Sequence, residues 1–160
     1  MPTTKLSFCK VRRLNKDIEE LIIEDSIEIN SRMMNEFHQF IDEKHEKNCA
    51  VLENVENNYS YDFSAQLTAS NSNRICATAV LVHRYASARI FSSLIKMPRE
   101  TPWNVQVFYH REHALNWLNE QLEQASVRQR ITRPVSTNEF KETPASGSPA
   151  PSLIEQPTRT

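Results

Sequence analysis

Apolar residues occur along this chain in two patterns, as short continuous runs and as positions at helical spacing. Residues 75–82, Ile-Cys-Ala-Thr-Ala-Val-Leu-Val, form a continuous run rich in β-branched side chains, which is typical of a strand buried on both faces of a sheet. A second run at 105–109 leads directly into a segment in which Ala114, Leu118 and Leu122 lie at helical spacing. Two buried strands, each followed by an amphipathic helix, predict an α/β fold with crossover helices.

The N-terminal part of the chain predicts a hairpin. Residues 8–14 and 18–24 have the composition of strands, and the turn-forming residues 15–17 join them. The other predicted elements are a strand at 49–52, a short helix capped by Ser60 that carries Phe63 and Leu67, a helix at 88–97, a strand at 103–109 and a helix at 111–124. Together these elements predict one mixed sheet of about five strands with about four helices.

A long helix is predicted between the hairpin and the third strand. Asn30 or Ser31 can cap its N-terminus. Its apolar face consists of Met33, Phe37, Phe40 and Ile41. The helix is expected to run to about Lys47, where Asn48 can end it in a left-handed conformation.

The chain of 160 residues is long enough for one domain with a remainder. From about Ser126 the apolar periodicity ends, and prolines stand among Ser, Thr and Ala. Such a segment cannot bury enough apolar surface to offset the entropy lost on ordering. We therefore expect an α/β domain at 1–125 and a disordered tail at 126–160.

Charge and cysteine content indicate where such a protein works. The net charge of −1 gives no reason to expect nucleic acid as a partner. No apolar run approaches the roughly 18 residues that a membrane-spanning helix needs, and residues 1–6 lack the apolar core of a signal peptide. Cys9, Cys49 and Cys76 are odd in number and scattered in apolar segments, which favours buried thiols in a reducing compartment. The cytoplasm is the expected location.

Glycine content excludes several kinds of site. The chain has one glycine, Gly147, and it lies in the predicted tail. The P-loop, the dinucleotide-binding fingerprint and the nucleophile elbow all need glycine for tight turns and close approach of the backbone. No such motif is present, and no cofactor is predicted.

Three groups of residues resemble a known family. They are Phe108 with Ala114, Trp117 and Leu118; residues 77–82 followed by Ser87 and Arg89; and Ser60, Tyr61 and Asp62 followed by Ala65. Over residues 8–122 the chain resembles the SpoIIAA-like (STAS/SEC14-type) branch of small bacterial proteins in the STAS-like superfamily. The resemblance implies a STAS-like domain that acts as a regulatory or protein-interaction module.

The chain also departs from the pattern of that superfamily. Ser26 and His83 stand where turn glycines would be expected, and the Asp-Ser-Ser-Gly phosphorylation signature of the anti-sigma antagonists is absent. Ser60 and Ser64 remain the candidate phosphorylation sites, although a serine at the position of Ser60 is more often a helix cap.

Candidate binding residues lie beyond the carboxyl ends of the predicted parallel strands, where open α/β sheets bind ligands. The first turn of the last helix carries cationic or titratable groups where the helix dipole favours acids. An anion would relieve that repulsion. The predicted anion-binding rim consists of His83, Arg84, Arg89, His110, Arg111 and His113. The alternative is that these residues are solvated loop positions.

Other candidate chemistry is weaker. The pairs His110/His113 and His38/His45 have no carboxylate or cysteine at ligand spacing, so surface histidines are favoured and no metal site is predicted. Cys76 is interpreted as a buried structural thiol rather than a nucleophile. A carboxylate pair of Asp62 and Glu53 has no feature that would position a substrate, and Trp117 is interpreted as a core residue. No catalytic residue is predicted.

Three functions remain open. The first is a non-enzymatic regulatory or interaction module with an unknown protein partner, which can include a second copy of the chain. The second is a carrier or sensor for a small anionic or lipid-like ligand, bound at the rim or in an apolar pocket lined by Ile90, Phe91, Leu94 and Ile95. The third, an enzyme, has no nucleophile, metal or phosphate motif to support it.

Overall fold

The computed structural model describes residues 2–132, which form eight strands and four helices. The strands are β1 (Thr3–Lys5), β2 (Cys9–Arg13), β3 (Ile18–Ile23), β4 (Ile27–Ile29), β5 (Cys49–Val55), β6 (Tyr59–Tyr61), β7 (Ile75–Val82) and β8 (Val105–Phe108). The helices are α1 (Ser31–Lys44), α2 (Phe63–Thr68), α3 (Tyr85–Ile95) and α4 (Arg111–Thr132). The chain divides into two units, Met1–Val127 and Arg128–Thr160, and the described residues of the second unit are helical.

The strands form a mixed sheet of six and a separate pair. The order in the larger sheet is β1-β2-β3-β5-β7-β8, and the pair is β4 with β6. β1, β2 and β3 are antiparallel neighbours, whereas β3, β5, β7 and β8 run parallel to one another. The prediction of an α/β fold with an N-terminal hairpin, a mixed sheet and four helices is confirmed, with one more strand in the sheet than expected.

The two faces of the sheet carry different helices. On one face, Ala114 and Leu118 of α4 pack against residues of the central strands such as Leu52 and Ala79. On the other, α3 packs against Val80 and neighbouring residues, and α1 and α2 cover the part of the sheet nearer the hairpin. Because successive strand residues point to opposite faces, β5 and β7 contribute apolar side chains to both layers. This explains why their sequences are continuous apolar runs.

The end of α1 differs from the prediction. The helix ends at Lys44, not at about Lys47, and Asn48 does not have a left-handed conformation. His45 leaves the helix in an extended conformation, and its ring is buried in contact with Glu19. The cap at the other end of α1 is Asn30, whose side chain accepts a hydrogen bond from the Met33 backbone N–H, as predicted.

The start of α2 also differs from the prediction. Ser60 does not cap this helix, because residues Tyr59–Tyr61 pair with β4 as strand β6. The cap is Asp62, whose carboxylate accepts a hydrogen bond from the Ala65 backbone N–H over 2.8 Å. Phe63 is 67% exposed, so this predicted apolar residue of α2 does not belong to the core.

Ser26 has the left-handed backbone conformation that glycine adopts most easily, with φ of 60°. It lies in the turn before β4, where the family resemblance places a glycine. Its backbone N–H donates to the carbonyl of Asn58 over 2.6 Å, which links this turn to the one before β6.

The last helix continues beyond the predicted domain boundary. α4 includes Ser126 and ends at Thr132, so residues 126–132, which were predicted to belong to the disordered tail, are helical. The rest of the predicted tail, 133–160, lies outside the described residues.

Leu118→Ala is expected to lower the free energy of unfolding by about 2–5 kcal/mol, because the substitution leaves a cavity where α4 meets the sheet. Leu118 is fully buried. Urea denaturation measures the change, and Asn119→Ala, at an exposed position of the same helix, is the control. Equal unfolding midpoints for the two variants would show that α4 does not pack as described.

Candidate functional site

A fully buried carboxylate is the centre of a polar cluster on the sheet face that α4 covers. The Glu20 side chain has no exposed surface and binds two guanidinium groups. Arg111 Nη1 and Nη2 donate to its Oε2 and Oε1, each over 3.0 Å. Arg12 Nε donates to Oε1 over 3.1 Å. Because the antiparallel register places Arg12 opposite Glu20, the hairpin itself brings these two residues together.

Asn54 extends this cluster across the parallel strands. Its Nδ2 donates to Glu20 Oε2 over 2.9 Å and to Glu56 Oε1 over 3.0 Å. Its Oδ1 lies 2.7 Å from Nε2 of His83, the residue that follows β7. Since an amide oxygen only accepts, this hydrogen bond places a proton on Nε2. We call Arg12, Glu20, Asn54, Glu56, His83 and Arg111 the Glu20 cluster.

Burial alone would raise the pKa of Glu20. Hydrogen bonds from Arg111, Arg12 and Asn54 outweigh that effect and lower the pKa from 4.5 to about 2. The same contact with Glu20 raises the pKa of Arg111. Both groups therefore stay charged at neutral pH, and the cluster is an ion network whose charges are already paired.

The residues of the predicted anion-binding rim do not share one surface. Arg111 and His83 belong to the Glu20 cluster, where carboxylates already offset the positive charge. Arg84 is at the N-cap position of α3 without a capping hydrogen bond from its side chain, and Arg89 lies within α3, which packs on the opposite face of the sheet. The exposed rings of His110 and His113 contact each other, with centroids 5.1 Å apart.

A second buried carboxylate lies on the face that carries α3. Tyr59 donates a hydrogen bond to Glu53 Oε2 over 2.7 Å, and Tyr61 donates to Oε1 and Oε2 over 2.9 and 2.8 Å. Burial raises the pKa of Glu53, against the opposing effect of the two tyrosine hydroxyls. Phe91 of α3 meets both tyrosine rings edge to face, with centroids 6.3 and 6.1 Å away.

These aromatic residues form one wall of a groove between β6 and α3. Its volume is about 570 Å³, within the usual range of small-molecule sites. The groove is lined by Tyr59, Ser60, Tyr61, Gln66, Ile90, Phe91, Ser93, Leu94, Lys96 and Met97. The predicted apolar pocket at α3 is therefore present, although Ile95 does not line it.

The outward side of α3 combines cations with exposed apolar side chains. Tyr85, Arg89 and Lys96 lie at intervals of four and seven residues, which places them along one side of the helix. Tyr85 is 73% exposed, and Arg89 and Lys96 are also exposed. Residues 83–99 contain no Asp or Glu. We call Tyr85, Arg89 and Lys96 the α3 strip.

The two serines proposed for phosphorylation lie in different settings. Ser60 is exposed in β6. Ser64 lies in the first turn of α2, where its hydroxyl donates to Asp62 over 2.7 Å and accepts from the Ser31 backbone N–H over 3.2 Å. Ser64 therefore already has a structural role, whereas Ser60 has an accessible hydroxyl.

The prediction of surface histidines at His38 and His45 is wrong. Both are buried, and His45 Nε2 lies 2.9 Å from the buried Glu19. Burial lowers the pKa of His38. Within residues 2–132, no group of three or more His, Cys, Asp or Glu side chains is placed to hold a metal ion.

Neither the buried cysteines nor the proposed pair of Asp62 and Glu53 is arranged for catalysis. Burial raises the pKa of Cys9 and of Cys49 to about 12, so both thiols stay protonated at neutral pH. Cys76 is only partly buried, contrary to the prediction, because it lies near the start of β7. Asp62 caps α2 while Glu53 binds two tyrosines, so each carboxylate already has its own partners.

The sequence contains a signal for the Glu20 cluster that hydrophobic periodicity alone does not reveal. Glu19 and Glu20 stand together inside the apolar strand at 18–23, and buried carboxylates need partners. The hairpin turn fixes the register, so Arg12 could have been assigned to Glu20. Arg111 could not, because its distance from Glu20 depends on how α4 packs.

The chain matches no protein-family model, no curated protein and no solved structure. None of the helices described between residues 2 and 132 is long and apolar enough to cross a membrane.

Glu20→Gln is expected to lower the free energy of unfolding at neutral pH by about 3 kcal/mol, because it removes the charge that pairs with two guanidinium groups. The folded-state pKa of Glu20 is depressed, so its contribution is complete above the ordinary value of 4.5 and disappears as the pH falls through about 2. Urea unfolding at a series of pH values should show a shallower acid dependence for the variant. Glu46→Gln, at an exposed position, should retain the wild-type pH dependence.

Glu53→Gln is expected to affect the pH dependence of stability in the opposite direction. The folded-state pKa of Glu53 is raised, so the wild type is favoured at low pH and loses stability as the carboxyl group ionises. The variant should therefore gain stability relative to the wild type as the pH rises from about 4. Thermal unfolding across that range measures the difference, and a difference that is constant with pH would contradict the assignment.

Proposed function

We propose that this domain is a non-enzymatic interaction module that binds an acidic, partly apolar segment of another protein through the α3 strip. The observation that carries the proposal is the composition of that surface. Tyr85 is 73% exposed beside exposed cations, and residues 83–99 contain no carboxylate to offset them. Aromatic and arginine side chains are the residue types most often dominant in protein interfaces.

The charge of this surface indicates the charge of the partner. No described residue forms a salt bridge with Arg89 or Lys96. A partner with Asp or Glu opposite Arg89 and Lys96 would neutralise their positive charges, and electrostatic attraction would accelerate association. A symmetric dimer through the same surface would place each cation close to its own copy, which is unfavourable. The α3 strip therefore favours a different, acidic protein over a second copy of this chain.

The apolar side chains near the strip add contact area. Ile90, which follows Arg89 in α3, is 60% exposed. Together with Tyr85 it provides apolar contact area beside the exposed cations, and aromatic residues and arginine are enriched in protein interfaces. The polar groups at the ends of the parallel strands are, in contrast, engaged with one another in the Glu20 cluster, which favours a structural over a catalytic role for them.

We further propose that the domain belongs to the SpoIIAA-like branch of the STAS-like superfamily, and that it works in the cytoplasm of a bacterium. The order of hairpin, helix, strand, helix, strand, helix, strand and helix supports the family proposal. The buried, unpaired thiols of Cys9 and Cys49 suit a reducing compartment.

The test begins with a photo-crosslinking amino acid at position 85 in the native host, which identifies the partner. The combined substitution of Tyr85→Ala with Arg89→Glu should then raise the Kd of the purified partner by about 10-fold or more. The affinity of the wild type should fall as ionic strength rises, because the contact is between exposed charges. Isothermal titration calorimetry measures both effects.

The matched control combines Tyr109→Ala with Lys16→Glu. It also removes one exposed tyrosine and reverses one exposed lysine, but on elements outside α3. Equal losses of affinity in both double variants would contradict the proposal. Sedimentation with anionic vesicles that depends on Arg89 would instead show that the strip binds a membrane surface.

A further inference from the structure

We infer that the groove between β6 and α3 binds a small amphiphilic acid, with its apolar body against α3 and its acid group at Lys96. This site shares Lys96 with the α3 strip but lies in the groove beside it, and neither proposal requires the other. Of the residues that line the groove, Lys96 alone carries a charge.

The tyrosine wall of the groove is apolar because its hydroxyl groups are already bound. Tyr59 and Tyr61 both donate to the buried Glu53, so the rings remain to contact a ligand. Phe91 packs edge to face against both rings and fixes their positions. A rigid aromatic surface of this kind suits an apolar ligand, which loses no hydrogen bond on binding.

The opposite wall is formed by flexible and branched aliphatic side chains. Ile90, Leu94 and Met97 line the groove from α3 and the residues that follow it. Ile90 is 60% exposed, so a ligand would cover apolar surface that water now contacts. Methionine adapts its shape to different apolar ligands. The groove therefore fits a hydrocarbon chain better than a polar metabolite.

The polar groups at the groove determine which head group is accepted. No described residue pairs with the Lys96 ammonium group. Lys96 follows the last residue of α3, and Ser93, about one turn before it, also lines the groove, with its hydroxyl donating to the Arg89 carbonyl over 3.3 Å. The Glu53 carboxylate does not line the groove, so it leaves the charge of Lys96 uncompensated. A carboxylate head group is favoured, and an ammonium head group is disfavoured.

The probe for this site is decanoate, used below the concentration at which it forms micelles. Isothermal titration calorimetry should detect binding to the full chain, while decyltrimethylammonium at the same concentration should not bind. Ile90→Glu should weaken decanoate binding by about 10-fold or more, because it places a second negative charge at the apolar wall. Lys96→Met should weaken decanoate but leave decanol binding unchanged.

The matched control is Tyr85→Glu, an exposed position of the same helix that does not line the groove. It should bind decanoate as the wild type does, even though it removes part of the surface proposed for the protein partner. The unfolding midpoint of each variant shows whether it is folded. Nuclear Overhauser contacts between decanoate methylenes and the Met97 methyl group would place the chain in the groove.

Two results would overturn the inference. The first is a wild-type protein that does not bind decanoate. The second is decanoate binding that Ile90→Glu leaves unchanged, which would place the ligand elsewhere. Loss of the protein contact in the Tyr85 and Arg89 variants has no bearing on either result, so the two proposals fail separately.

Discussion

The carboxylate of Glu20 holds together parts of the molecule that are far apart along the chain. It lies inside an apolar strand with no access to solvent, so its charge requires partners. The hairpin supplies Arg12, the parallel sheet supplies Asn54, and the last helix supplies Arg111. The position of α4 on the sheet is therefore fixed by a charged contact as well as by the apolar packing of Leu118.

This arrangement places the ion network and the open groove on opposite faces of the sheet. On the α4 face, the polar groups at the strand ends form hydrogen bonds and ion pairs with one another. On the opposite face, Tyr59, Tyr61 and Phe91 support a groove whose outer wall remains open. Beside it lie Arg89 and Lys96, with which no described residue forms a salt bridge. The surface that we propose for a partner or ligand is thus the one supported by α3.

The sequence allowed the fold to be predicted better than the site. The boundaries of β7 agree with the prediction, because an apolar run buried on both faces has a clear pattern. Ser60 was misassigned as a cap because the pairing of β6 with β4 depends on tertiary contacts that a local pattern does not contain. Arg111 was predicted to bind an external anion, because its distant partner Glu20 cannot be identified from helical periodicity or from the helix dipole.

The contact between Arg111 and Glu20 also has a kinetic consequence. The two residues are 91 positions apart, whereas Arg12 and Glu20 meet across a short turn. Contacts between distant residues must overcome the larger entropy of loop closure, so the hairpin can form long before α4 docks. Until α4 docks, the Glu20 carboxylate stays hydrated, and this face of the apolar strand stays exposed to solvent. Docking of the last helix is therefore the step that dehydrates this face, and a newly made chain can complete it only after Arg111 and the helix that carries it have been synthesised.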